Sequence, residues 1–569
     1  AVADAYERVA HLADAVPAGA RELSETPRAV PMDTESWKEL EPRSNIKELP
    51  VFSRIEVAFK SHSTYELIRA YIVLRVCGIN FIVEKSELLI GLSYKILGET
   101  LTNFVVKRTF FAHFCAAEDE VGLQPVMERL EASGVSGILD YAAEADLDTS
   151  RDEREEEVVA RTYEYEGEKA CDAAAAVFEK CIATAHSVAQ HSATGSNPFA
   201  AIKVTALGNP KLLKRISEMI VQTKLLFQRM EDRLERPSVG SFTLDEFRNA
   251  FSQIFHLPAD DPEQVDKLFW YALGASDEAE WRAANPDTEP TMDIVDWMRS
   301  MDVNVVSRLV ESCREKGPLF NVALSPEELE LAQALFARLD RLANMAEELD
   351  VRLMIDAEQT YFQPCIDANV LRLQRMHNVD RPVIFGTYQC YLKDTDERLT
   401  QDIERAKREG WAFAAKLVRG AYMVTERRLA EELDYPDPIH DTLEDTHDSY
   451  NRNLRRIIET PKAEIMIATH NQESCEIAAN AMDQAGRDRR NGGVYFGQLL
   501  GMADNITFTL GLCGYSAFKY LPYGKVQEVL PYLIRRAQEN SGLMAGAVHE
   551  RRVIANEIKR RLFNRGSGQ

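Results

Sequence analysis

With 569 residues, 45% apolar and 28% charged, the chain has the composition of a globular protein, either several ordinary domains or one large barrel with additions, and not of a disordered or fibrous one. A formal net charge of −24 repels phosphate backbones and excludes a dedicated nucleic-acid binder. The nine cysteines are scattered without a CxxC pair, which excludes a disulfide framework and a zinc–thiolate site and points to a reducing compartment.

In chain order, the first thirty residues mix charged and small side chains without an apolar run, so no secretory signal is expected in them. Residues up to about 130 read as helices, with apolar positions at helical spacing from Thr64 to Leu97 and from Asn103 to Phe114. The most apolar stretch, Ala70 to Val83, contains Arg75 and meets Glu84 and Lys85. It falls short of the roughly 20 residues a membrane span needs and is expected to be a buried or membrane-surface helix. An acid-rich segment beginning at Arg151 then leads into the Ala-rich helix former Ala173 to Val177.

From there short apolar or β-branched runs alternate with helical sequence. They are Gly137 to Leu139, Ala201 to Thr205, Val351 to Ile355, Pro382 to Phe385, Ala414 to Val418, Glu464 to Ala468, Val494 to Phe496 and Ala517 to Leu521. Eight continuous strands separated by amphipathic helices predict an α/β fold, a (β/α)8 TIM-like barrel. The strand ends read Asp140, Lys203, Asp356, Tyr388, Arg419, His470, Gln498 and Tyr520, polar groups at the carboxyl ends, where barrel enzymes carry their sites.

About 145 residues separate the second strand from the third, so an insertion is expected there. Within it, Glu235 to Glu246 matches a calcium-loop skeleton, but Pro237 and Val239 stand where ligands belong; Asn285 to Asp296 has Pro290 in place of the turn glycine. An EF-hand-like pair without metal is expected. The organisation is then a helical region over 1–134, a first barrel part over 135–230, the insertion over 231–325, and a second barrel part with C-terminal helices over 326–569.

Three constellations carry candidate chemistry. Lys416 and Arg419 precede the small residues Gly420 and Ala421, an arrangement that lets a flat ligand or phosphate approach the backbone. Thr469, His470 and Asn471 place a hydroxyl, an imidazole and an amide in succession, suited to a heterocycle or polyol. After the last strand, Tyr532, Arg535, Arg536 and Glu539 fall on one helix face, and two adjacent guanidiniums make a carboxylate clamp. His470 with Asp356 lacks the spacing of a metal motif, so no metal site is expected.

The motifs Asp356-Ala-Glu-Gln, Leu417-Val-Arg-Gly-Ala-Tyr422, Ala468-Thr-His-Asn471, Tyr520-Leu-Pro-Tyr-Gly524 and Arg535-Arg-Ala-Gln-Glu-Asn540 stand in the order in which they occur in the proline dehydrogenases, and the chain resembles the eukaryotic, mitochondrial branch of that family. The resemblance implies a distorted barrel holding FAD non-covalently, with the last helix over the barrel mouth. It implies L-proline as substrate, oxidised to Δ1-pyrroline-5-carboxylate by hydride transfer from C5 to flavin N5. A ubiquinone-type acceptor would follow, with peripheral contact at the matrix side of the mitochondrial inner membrane.

By motif position, Arg535, Arg536 and Lys203 would bind the substrate carboxylate, Tyr532 and Leu499 would pack on the ring, and Asp356 would order the site. The flavin would lie along Lys416, Val418, Arg419, Gly420, Ala421, Tyr422, Thr469, His470 and Asn471, with Glu539 fixing the last helix. Tyr520 stands where hydroxyproline dehydrogenases carry serine, which favours proline over its 4-hydroxy derivative. Bacterial relatives place a flavin-contacting glutamine at the position of Gly386, so that contact is expected either to be absent here or to be supplied by a neighbour such as Gln389. Hydroxyproline oxidation, or a metal-dependent barrel hydrolase using Asp356 and His470, are the alternatives.

Overall fold

The computed structural model describes residues 50, 52, 58–141, 167–190, 198–234, 240–256, 264–301, 303–314, 317–540 and 545–563. Ten strands form within them: β1 Val135–Tyr141, β2 Phe199–Ile202, β3 Ser241–Phe242, β4 Met292–Asp293, β5 Arg352–Ile355, β6 Ile384–Gln389, β7 Ala414–Val418, β8 Glu464–Ala468, β9 Val494–Leu499 and β10 Ser516–Tyr523. Eight of them close a parallel barrel in the order β1-β10-β9-β8-β7-β6-β5-β2, as the spacing predicts. β2 pairs directly with β5, Ala201 opposite Met354, so the long insertion leaves the barrel register intact.

The barrel interior is filled, not hollow. Phe199 at its centre meets Phe385, Tyr495 and Phe518 edge-on at centroid distances of 5.5, 5.0 and 5.2 Å. Ile138, Ala201, Met354, Ala414 and Met466 complete this inner cluster. Because side chains alternate along a strand, the next inward residues toward the carboxyl ends form the floor of a site, while the outward ones join the larger core under the helices.

The insertion has the predicted paired character. β3 and β4 form a two-stranded antiparallel sheet with Phe242 opposite Met292, the eighth positions of the two loop skeletons. Residues 235–239 of the first skeleton lie outside the described residues, but Glu246, its last position, serves as the N3 acid of the capping box that Thr243 opens on the helix Leu244–Ile254. In the second loop Arg408, from the barrel helix Thr395–Glu409, lies 2.8 Å from Asp293 and 3.1 Å from Asp296. A guanidinium thus meets the carboxylates of that loop.

The apolar stretch Ala70 to Val83 divides in two. Ala70, Val73, Leu74, Cys77 and Val83 are buried against the C-terminal helices, while Phe81 is exposed. Exposed apolar residues continue through Leu88, Leu92 and Ile96 on the helix Ser86–Leu97, which buries none of its residues.

Candidate active site

At the carboxyl ends of the strands lies a cavity of about 380 Å³, within the size range of small-molecule sites. Its roof is the helix Leu530–Glu539, which starts at Pro531 in its first turn and is closed by Asn540, whose amide donates to the Arg536 carbonyl at 2.8 Å. The predicted face of this helix points down: Tyr532, Arg535 and Arg536 line the cavity, and the Arg536 guanidinium lies 5.0 Å from the Tyr532 ring centre. Arg536 donates to Glu539 at 2.6 Å, so Glu539 acts from behind the arginine and does not line the cavity. The Tyr532 hydroxyl and Arg536 Nε are buried with no hydrogen-bond partner among the described residues.

The opposite walls come from the strand ends. Lys203, Asp356, Gln389, Lys416, Val418, Arg419, Gly420, Ala421, Tyr422, Thr469, His470, Leu499 and Tyr520 all line the cavity. Lys416, inward on β7, is buried and hydrogen-bonded to Asp356, so its charge is balanced within the protein and does not stand free for a phosphate. Arg419 donates to His447, Thr469 and Ser474 at 2.8, 2.8 and 2.9 Å and lies 4.4 Å from the Tyr450 ring centre, a fixed cationic wall. Gly420 is required for a reason the sequence did not reveal. Its φ is +141°, and a Cβ would sit 2.4 Å from the Tyr391 ring.

His470 is exposed toward the cavity. Partial desolvation by the surrounding protein, helped by the Lys519 and Arg536 charges, lowers its pKa, so the ring is neutral at neutral pH. The backbone N–H of Leu499 donates to its Nε2 at 3.1 Å, which leaves the proton on Nδ1. Tyr520 hydrogen-bonds Asp140, and burial together with the Asp140 and Asp356 charges holds the phenol well above its ordinary pKa.

Three expectations need correction. Asn471 does not line the cavity; its side chain accepts from the Ser474 N–H at 2.9 Å and caps the helix Gln472–Gln484. Tyr388 faces outward and donates to Asp402 at 2.8 Å. Gly386 also faces outward, since a Cβ there would meet Val370 at 2.7 Å, so a side chain at this position would not enter the barrel. The inward residues of β6 are Phe385, Thr387 and Gln389, because the strand runs four residues beyond its predicted end at Phe385.

Other residues of the site escaped sequence reasoning. Asp140 and Gln498, noted only as strand ends, and Thr387 line the cavity. Glu358, wholly buried beside it, accepts from the Thr205 N–H and hydroxyl at 3.2 and 2.7 Å. Burial pushes its pKa up to about 7 against those bonds and the Lys203 charge. Lys519, completely buried on the outward side of β10, donates to the Leu499 and Met502 carbonyls at 3.2 and 2.6 Å and pairs with Asp504 at 2.7 Å. It ties down a turn in which Gly501 has φ +76° and Ala503 φ +52°. Burial raises the Asp504 carboxyl, but Lys519 and His62, the latter 3.1 Å away, overcome it and hold the group well below the carboxylate range.

The geometry joins residues from all five ordered motifs, and the comparisons agree with that grouping. Residues 124–548 match the family model described as proline dehydrogenase. The chain is 39% identical over 555 residues to proline dehydrogenase 1, mitochondrial, of Homo sapiens, covering 90% of this chain and 89% of that protein. It is 30% identical over 511 residues to the hydroxyproline dehydrogenase of Xenopus laevis, covering 89% of each. The crystal structure of proline utilization A from Bdellovibrio bacteriovorus, inactivated by N-propargylglycine, superposes with a TM-score of 0.51 at 15% identity; it covers 91% of this chain and 41% of that one, and shares the barrel fold. On the family match and the identity to full-length relatives, the chain belongs to the proline dehydrogenase family.

Proposed function

We propose that this chain oxidises L-proline to Δ1-pyrroline-5-carboxylate with FAD and passes the electrons to a ubiquinone-type acceptor. The observation that carries the reading is the placement of a twin-arginine helix directly over a cavity whose other walls are the Lys416–Ala421 and Thr469–His470 strand ends. Proline presents a carboxylate, a secondary amine and an apolar ring, and each has a counterpart. Arg535 and Arg536, with Lys203 opposite, bind the carboxylate. Tyr532 and Leu499 pack on the ring, and Tyr520, held by Asp140, closes the side on which a 4-hydroxyl would project.

The donor set also fits a flavin. Neutral His470 offers Nδ1–H, Gln389 is fixed by its bond to the Glu358 carbonyl at 2.8 Å, and Gly420 and Ala421 bring backbone within reach of a flat ring. When bound, the flavin supplies the two-electron acceptor for the hydride that leaves C5. The substrate also loses its amine proton as the C=N bond forms, and no side-chain nucleophile is needed. The residues' part is to bind proline, orient C5, and exclude water. Asp356 is committed to Lys416 and His470 Nε2 to Leu499, which counts against a hydrolase that would use them as metal ligands.

Relatives named mitochondrial support a mitochondrial location. No helix among the described residues is long and apolar enough to cross a membrane. Peripheral contact at the matrix face is supported by the exposed apolar helix Ser86–Leu97, because Leu89, Ile90 and Leu97 share a small apolar pocket with Leu530, Leu533 and Ile534 of the roof helix. The test is an anaerobic absorption spectrum of the purified protein. Flavin bands bleached by L-proline are expected; a protein without flavin bands, or bands that proline leaves unchanged, overturns the reading.

A further inference from the structure

The helix Leu530–Glu539 presents two different faces. Tyr532, Arg535 and Arg536 line the strand-end cavity, while Leu530, Leu533, Ile534 and Ala537, at i, i+3, i+4 and i+7, line a second cavity of about 200 Å³ on the opposite side. The two cavities share no lining residue, and this one helix, about 10 Å across, stands between them. The other walls of the second cavity come from the end of the helix Thr64–Cys77 and from the helices Ser86–Leu97 and Glu99–Val106.

No Asp, Glu, Lys, Arg or His lines this second cavity, and burial pushes the Cys77 thiol up to about 12, so the lining is uncharged. It carries three hydroxyls. Ser86 and Ser93 donate to the Val83 and Leu89 carbonyls at 2.9 and 2.8 Å. The third, on Thr102, is buried in a residue only 4% exposed and has no hydrogen-bond partner among the described residues. A buried hydroxyl without an acceptor is costly, and an uncharged, mostly apolar ligand that brings one acceptor would relieve that cost. The helix Ser86–Leu97 is apolar on two sides. Leu89, Ile90 and Leu97 line the cavity, and Leu88, Leu92 and Ile96 are exposed on the outside, so a lipid-dissolved ligand held at the outer side reaches the cavity without crossing water.

We propose that this cavity receives the ring of an isoprenoid 1,4-benzoquinone, with one ring carbonyl accepting from Thr102 and the tail leaving along the helix Ser86–Leu97. An apolar cavity of about 150 Å³ is enough to hold a benzene ring, and a quinone has carbonyl acceptors, no donor and no charge. The inference rests on the reading that the electrons of proline pass to a quinone, and it gives that acceptor a place of its own behind the roof helix. In the exchange the quinone gains two electrons and two protons, its two carbonyls becoming the hydroxyls of the quinol, and the reduced flavin gives up the same two electrons and two protons that it took from proline.

The test uses the flavin-loaded full chain. Calorimetric titration of the oxidised protein with ubiquinone-1 should show saturable binding, with p-cymene, an apolar ring of similar size without carbonyls, at least about fivefold weaker. Ser93→Trp fills the cavity and should weaken ubiquinone-1 binding at least about tenfold and raise its KM in parallel, while anaerobic bleaching of the flavin by L-proline keeps its rate. Thr102→Val, which keeps the shape and removes the hydroxyl, should weaken ubiquinone-1 binding about fivefold and keeps the test decisive if Ser93→Trp does not fold. Equal binding of p-cymene, or ubiquinone-1 binding and KM that neither variant changes, overturns the proposal. Bleaching reads the proline reaction separately, so a wild type that bleaches with proline but does not bind ubiquinone-1 overturns this site alone.

Discussion

At the scale of single residues, the site is a set of side chains whose partners determine what each can still do. Arg536 is buried, paired with Glu539 and stacked near Tyr532, so Arg536→Met removes a charge from a desolvated position. Steady-state kinetics should show kcat/KM for proline lower by roughly a hundredfold or more, the scale of a buried ion contact of about 3 kcal/mol; unchanged kinetics would remove this residue from the carboxylate site. Tyr520→Ser opens space beside Asp140, and the ratio of 4-hydroxyproline to proline turnover should rise while proline turnover falls. Glu358 offers a pH test. Its folded pKa of about 7 lies above the ordinary 4.5, so its contribution to stability is fully present below about 4.5 and is lost as pH rises through 7. Denaturation of the wild type against Glu358→Gln at pH 5 and pH 8 should therefore show the wild type losing of the order of 2 kcal/mol relative to the variant at the higher pH. The arginines were legible because adjacent guanidiniums on one helix face have few other uses. The roles of Glu358, although it stands within the Asp356-Ala-Glu-Gln motif, and of Lys519 were not, since an acid or lysine in sequence carries no sign of complete burial.

At the scale of elements, the turn between β9 and the helix Asp504–Leu512 holds Leu499 at the strand-end cavity, and Lys519 holds the turn. Lys519→Met leaves Asp504 buried beside His62 alone, and a loss of about 3–5 kcal/mol in urea denaturation is expected. The insertion is docked by Arg408, which reaches Asp293 and Asp296. In Arg408→Leu, limited proteolysis should cut the insertion faster, with a modest stability change of about 1 kcal/mol because the guanidinium is about a third exposed. The strand count and the paired character of the insertion could be read from periodicity and spacing. Strand limits could not: Thr387, Tyr388 and Gln389 look like the start of a loop, yet backbone pairing with Lys416, Leu417 and Val418 extends β6 through them. That extension is what brings Gln389 into the site.

At the scale of the whole molecule, closure of the barrel puts residues more than 300 positions apart within one cavity, and the helices around its mouth divide into a buried and an exposed apolar set. Leu88, Leu92 and Ile96 are 65, 47 and 70% exposed, a patch of the kind that marks a membrane or partner surface. Leu88→Asp with Leu92→Asp should reduce co-sedimentation with anionic phospholipid vesicles several-fold while leaving proline oxidation with a soluble acceptor unchanged; equal sedimentation would move membrane contact elsewhere. The sequence by itself determined the barrel, the ordered motifs and the twin-arginine helix, because period-2 and period-3.6 patterns and motif spacing are local properties of the chain. Only the tertiary structure decided that Lys416 is neutralised by Asp356, that Asn471 is a helix cap and that Gly386 faces outward. These depend on which way a side chain points and what meets it there, and that is set by strand register and helix packing between segments far apart in the chain.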